Sequence, residues 1–118
     1  MYTLNSHFKG NVYRIATNWF SFLTPDPTRP IKYAEIGAFY GANIVSVAET
    51  YGVHPDSVLI AIDPWTDYSG YPEYKGQQTT IYNAFMQNMS VCGLTDRVTV
   101  KRGYSHEVIP TLDDNTFD

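Results

Sequence analysis

The stretch Glu35-Ile36-Gly37-Ala38-Phe39-Tyr40-Gly41 closes a short apolar run that starts at Lys32, and Val58-Leu59-Ile60-Ala61-Ile62-Asp63 follows it. The second run is the clearest strand in the chain. It is apolar on both faces and rich in β-branched residues, as a strand buried in a parallel sheet must be. Between the two, Gly41 opens a helical pattern with Ile44, Val45, Val47 and Ala48 inside, and Gly52 closes it. Strand, glycine turn, helix, strand is the unit that builds a right-handed crossover.

Working outward, Thr79 to Cys92 repeats Ile81, Phe85, Met86 and Met89 on one helical face, with Gly93 behind it. Val98-Thr99-Val100 reads as a third strand ending at Gly103, and His106 to Leu112 as one short helix limited by Pro110. The stretch from Thr66 to Gly76 is too rich in Tyr, Gly and Pro to be regular. Upstream, Val12, Ile15, Ala16, Trp19, Phe20 and Leu23 predict an amphipathic helix over about 10–23, ended by the prolines of Thr24 to Pro30.

The expected organisation is an N-terminal helix and Pro-rich linker over 1–30, then a half-domain over 31–118. The expected fold is α/β, a Rossmann-like open parallel sheet with helices on both faces. Its C-terminal strands are expected to be missing, because a fourth strand would only begin at Phe117.

Composition narrows the function. At 118 residues, 43% hydrophobic and 17% charged, the chain reads as one small globular domain and not as a disordered segment. A net charge of −4 argues against a nucleic-acid partner, which calls for a basic face. A single cysteine, Cys92, excludes an internal disulfide and favours a reducing compartment. There is no C-x-x-C pair for zinc, no apolar run near the ~20 residues of a membrane span, and no signal core between Met1 and Lys9. A cytoplasmic protein with no metal and no membrane partner is the expectation.

The strand ends carry the chemistry. Gly37 permits a tight turn, and Gly41 lets the next helix start close to the sheet. Asp63 stands at the second strand's end, where a carboxylate accepts hydrogen bonds from a ribose diol. Two details choose among nucleoside ligands. Phe39 occupies the place where a pyrophosphate-binding fingerprint has its second glycine, and a side chain there crowds a pyrophosphate. Glu35 adds a negative charge, repulsive to a phosphate and attractive to an ammonium group. A ligand with an adenosine end and an amino-acid end satisfies both, and S-adenosylmethionine (SAM) is such a ligand.

Glu35-x-Gly37-x-x-x-Gly41 resembles the first motif of class I SAM-dependent methyltransferases. Ile62-Asp63-Pro64-Trp65 resembles the second-strand motif of their small-molecule O-methyltransferase-like branch. Asn88, the run Gly93-Leu94-x-Asp96-Arg97-Val98, and Gly103-Tyr104-Ser105 resemble that branch's passage through the third strand. The likeness covers residues about 33–118.

The resemblance implies roles for individual residues. Glu35 would hold the methionine ammonium. Gly37, Ala38 and Phe39 would lay their backbone against the methionine moiety, with Gly41 starting the helix. Asp63 would bind the ribose, Pro64 and Trp65 would lie beside the adenine, and Gly103, Tyr104 and Ser105 would approach its edge. The resemblance also places an acidic residue and a His on a fourth strand, beyond Asp118, so no catalytic residue is assigned.

Plainer readings stand beside these. Asp63 could cap a turn, Glu35 could sit in a structural salt bridge, and Trp65 fits the core as well as a ligand face. Tyr68, Tyr71 and Tyr74 could form a lid, but packing the loop onto the domain is preferred. His7 and His54 read as solvated, as do Lys101 and Arg102. His106 reads as opening a short helix, and Cys92 as inert against the sheet.

The expected function is methyl transfer from SAM to an oxygen of a small-molecule acceptor, giving S-adenosylhomocysteine. The alternative is a non-catalytic SAM-binding or scaffolding module derived from such a domain. An open sheet edge leaves room for a homo-oligomer.

Overall fold

A computed structural model describes residues 2–12 and 15–112. Three strands form one sheet: β1 (Lys32–Ile36), β2 (Val58–Asp63) and β3 (Val98–Arg102). All pair in parallel, in the order β1-β2-β3. Helix α1 (Ala42–Ala48) links β1 to β2, and α2 (Gln78–Val91) links β2 to β3. A short α3 (Ser105–Val108) follows β3 and runs into a 3-10 turn at Ile109–Thr111.

Register and alternation decide which side chains face the helices. Glu35 pairs with Ala61 and Ala61 with Val100, and Asp63 pairs with Arg102. Tyr33, Glu35, Leu59, Ala61, Asp63, Val98 and Val100 therefore share one face. Leu59, Ala61 and Val98 join Ile44, Val45 and Val47 of α1 and Ile81, Phe85 and Met89 of α2 in one buried cluster. Each large side chain buried there stabilises the fold by about 1.5–3 kcal/mol before entropy is counted. Two like-handed crossovers moving the same way along the sheet put α1 and α2 on this one side. On β2, Ile60 and Ile62 point the other way and are 7% and 1% exposed, and α3 packs against that strand.

The N-terminal segment differs from its expected helix. The described part of 10–23 holds only a 3-10 turn, Ala16–Trp19, and Tyr13 and Arg14 lie outside the described residues. Tertiary contacts take over from helical hydrogen bonds. Ile15 is fully extended, the Ala16 N–H donates to Ser46 Oγ of α1 at 2.7 Å, and Trp19 and Phe20 pack on the Tyr51 ring. The apolar spacing was therefore that of a strap laid over α1. It is fastened again where buried Asn88 of α2 exchanges hydrogen bonds with both the N–H and the carbonyl of Lys9.

Elsewhere the strands and α2 fall within a residue or two of their expected places, while α1 ends at Ala48, short of its expected close at Gly52. The 66–76 loop holds one 3-10 turn, Pro72–Tyr74. The span from His106 to Leu112 is divided between α3 and the following 3-10 turn because Pro110 lacks the N–H that would continue the helix. The expected start of a fourth strand at Phe117 lies outside the described residues. Among the described residues, no helix is long and apolar enough to cross a membrane, and no group of His, Cys, Asp and Glu could hold a metal ion.

Candidate functional site

The carboxyl ends of the three strands lie side by side. The Gly37 N–H donates to the Ile62 carbonyl at 2.8 Å and the Gly103 N–H to the Asp63 carbonyl at 3.1 Å. These bonds extend the sheet by one step and bring the three strand-end motifs into a single row. Gly37, Asp63 and Gly103 thus meet where ligands of open α/β sheets bind.

The first turn is shaped by two glycines with different demands. Gly41 has φ 93°, and a Cβ there would stand 2.8 Å from Phe85 Cδ2 and 3.1 Å from Met89 Cε. It is a packing glycine, and it lets α1 start against α2. Gly37 has φ 80°, yet a Cβ there would meet nothing within 4 Å. The space beside Gly37 is open at the carboxyl edge of the sheet.

Asp63 joins the first turn to the second. Its Oδ2 accepts from the Phe39 N–H at 3.0 Å, and its Oδ1 accepts from the Trp65 N–H at 2.8 Å. Among the described residues, Phe39 and Trp65 are the non-glycine residues with positive φ, 55° and 47°, a strained state for bulky side chains. The carboxylate holds both in place. Two of its roughly four lone-pair sites are used, which leaves acceptor capacity for a further donor.

Glu35 is 8% exposed and lies among hydrogen-bond donors. Its Oε1 accepts from the Tyr33 hydroxyl at 2.8 Å and from Asn43 Nδ2 at 2.7 Å, and Asn43 also reaches the Tyr33 oxygen. Burial raises its pKa above the usual carboxylate value; the two donors oppose the shift, and the nearby charge of Asp63 adds to it. No described Lys, Arg or His forms an ion pair with Glu35. The expected alternative, a structural salt bridge, is thus absent among the described residues. Sequence reasoning missed Tyr33 and Asn43. Tyr33 could have been found, since it lies two residues before Glu35 on the same face of the strand. Asn43 lies in the first turn of α1 and had no sequence signal.

Other expected site residues separate by burial. Ala38 is buried and its carbonyl accepts from the Gly41 N–H. Trp65 is 1% exposed; its indole packs on Tyr82 and Phe85 and donates to the Phe39 carbonyl at 3.0 Å. The Trp65 ring belongs to the core. Pro64 is half-buried, and its carbonyl faces Arg102 Nε at 3.5 Å. Arg102 is exposed, as expected of a solvated charge, and its guanidinium lies over the Tyr82 ring at 4.1 Å. Tyr104 is 47% exposed, bonds Thr66 through its hydroxyl at 3.0 Å and stacks on His106. Ser105 begins α3 and is half-buried. Cys92 is half-buried, and burial raises its thiol pKa.

The tyrosine loop divides. Asp67 Oδ1 accepts from the Gly76 N–H at 2.9 Å and ties the loop at its base. Tyr74 packs edge-on to Phe39, with ring centroids 4.9 Å apart. From there the aromatic contacts run through Tyr71 to Tyr68, which are 57% and 64% exposed. Tyr74 anchors the loop to the first turn, and the other two rings project into solvent near the site.

Comparison with protein-family models, with curated proteins and with solved structures finds no match.

Proposed function

We propose that the carboxyl edge of this sheet binds S-adenosylmethionine and that the chain serves methyl transfer to a small-molecule acceptor at oxygen. The observation that carries this reading is the buried Glu35 carboxylate. It has hydrogen-bond donors but no cation among the described residues, and it stands two residues before the open Gly37 turn. A buried carboxylate without a countercharge is costly, and an ammonium ion brought by a ligand supplies one. Asp63, on the same face, has lone pairs left for ribose hydroxyls. Pro64, Gly103 and Tyr104 flank the place of the base, and the Trp65 backbone closes the turn beside it.

Chemistry would be an in-line displacement at the sulfonium methyl. The acceptor oxygen forms its bond to the methyl carbon as the sulfur–methyl bond breaks, and the acceptor's proton passes to a base or to water. The protein's contribution is then chiefly to align donor and acceptor. Tyr68 and Tyr71 stand where an acceptor would approach.

The test separates the ammonium from the rest of the ligand. S-adenosylhomocysteine and 5′-methylthioadenosine share the adenosine and thioether; only the first has the amino-acid end. Glu35→Gln is expected to weaken S-adenosylhomocysteine at least tenfold and leave methylthioadenosine nearly unchanged. Equal weakening of both would remove the ammonium role from Glu35.

A further inference from the structure

At the opposite, amino edge of the sheet lies a cavity of about 390 Å³. Cavities of this size hold small organic ligands. Its walls are apolar: Trp19 and Leu23 of the N-terminal strap, Ile31 and Tyr33 at the start of β1, and Val47 and Tyr51 at the end of α1. The strap is held over this space by the Tyr51 hydroxyl, which donates to the Leu23 carbonyl.

Its mouth is charged, with Asp26, Arg29 and Lys32. Asp26 is already engaged. Its Oδ1 accepts from the Thr28 N–H at 3.0 Å and the Thr28 hydroxyl at 2.6 Å, and these bonds hold its pKa below the usual carboxylate value. Arg29 acts on that carboxylate through space, and among the described residues its guanidinium forms no hydrogen bond or ion pair. With Asp26 engaged by Thr28, Arg29 is the charge that the mouth offers an anion. Guanidinium groups favour planar carboxylates, which they bind through paired hydrogen bonds.

We propose that this cavity is a second small-molecule site, separate from the carboxyl edge, and that it takes a ring-bearing carboxylate with its acid end at Arg29. The ring lies against the apolar wall that Trp19, Leu23 and Ile31 offer the cavity, and the acid remains at the half-solvated mouth, where its desolvation cost is small.

The chain has two tryptophans, Trp19 in the cavity wall and Trp65 in the core, and their indole N–H signals report separately in a nitrogen-labelled NMR titration. The probe is 2-naphthoate, with 2-naphthalenemethanol as its neutral counterpart. Naphthoate is expected to shift Trp19 saturably and leave Trp65 in place, and to bind at least fivefold more tightly than the alcohol. Arg29→Met, at an exposed position, is expected to bring the acid down to the alcohol's affinity. Thr24→Tyr, also exposed, is expected to narrow the mouth and weaken both probes at least fivefold. No shift of Trp19 at millimolar naphthoate would overturn the proposal. So would equal affinity of acid and alcohol, or binding that ignores both substitutions.

Discussion

The indole N–H of Trp65 donates to the Phe39 carbonyl at 3.0 Å, and these two residues share one strained backbone state, with φ of 47° and 55°. Asp63 accepts from the backbone N–H of each. Three residues from two strand ends thus form one closed unit, and the geometry of both turns depends on one carboxylate.

Asp63 is therefore expected to matter before any ligand arrives. Asp63→Ala removes two charge-assisted hydrogen bonds and releases two left-handed residues, at a cost of about 2–4 kcal/mol in urea unfolding. Asp63→Asn keeps one acceptor oxygen and is expected to lose about half of that. A fully stable Asp63→Ala protein would mean that the turns hold without the clamp.

Gly37 and Gly41 make a matched pair. Gly41→Ala places a Cβ against the Phe85 ring at a left-handed position and is expected to cost about 2–4 kcal/mol. Gly37→Ala carries only the backbone term, about 1–2 kcal/mol, because its Cβ meets nothing. Ligand affinity is expected to reverse the order, with Gly37→Ala binding S-adenosylhomocysteine less well per unit of stability lost. Thermal melts with and without the ligand check both halves.

Legibility in the sequence followed the physics of each segment. The β1 and β2 runs, the glycine turns and the α2 face of Ile81, Phe85 and Met89 could be read because local pattern and tertiary environment ask for the same residues there; Met86, expected on that face, is exposed. Gly37, Asp63 and Gly103 were read as strand-end residues, and they do fall in one row, with Glu35 two residues back opposite Ala61. The strap over 10–23 was misread because apolar spacing alone does not distinguish a helix from a segment packed on one. Trp65 was undecided in sequence because a ring beside a ligand and a ring in the core call for the same residue. The Tyr33–Glu35–Asn43 network joins a strand to a helix through side chains, and no local pattern announces such a join.

Glu35 gives the folded chain a pH dependence. Its pKa in the folded state lies above its ordinary value through burial, so the folded chain holds a proton that the unfolded chain releases. Stability is then expected to fall as pH rises from the ordinary carboxylate range through the raised value, and to level off above it. Glu35→Gln is expected to remove this component. Denaturant midpoints collected across that range compare the two proteins, and identical profiles would contradict an elevated Glu35 pKa.

Phe39 separates backbone from side chain. Phe39→Gly relieves the left-handed strain but loses ring contacts with Tyr40 and Tyr74, each worth about 0.5–1.5 kcal/mol. The protein is expected to be less stable and its 67–76 loop freer, seen as faster amide exchange there. S-adenosylhomocysteine binding is expected to persist, since the proposed contact with the ligand is through the Phe39 backbone. Loss of binding in a folded variant would show that the ring itself shapes the site.

Isothermal titration of the purified chain with S-adenosylhomocysteine, with NAD as the comparison, tests the central claim most directly. The buried Glu35 charge and the side chain at Phe39 lead to saturable, one-to-one binding of S-adenosylhomocysteine and none of NAD. Binding of NAD in its place, or of neither ligand by a chain that melts cooperatively, would contradict it.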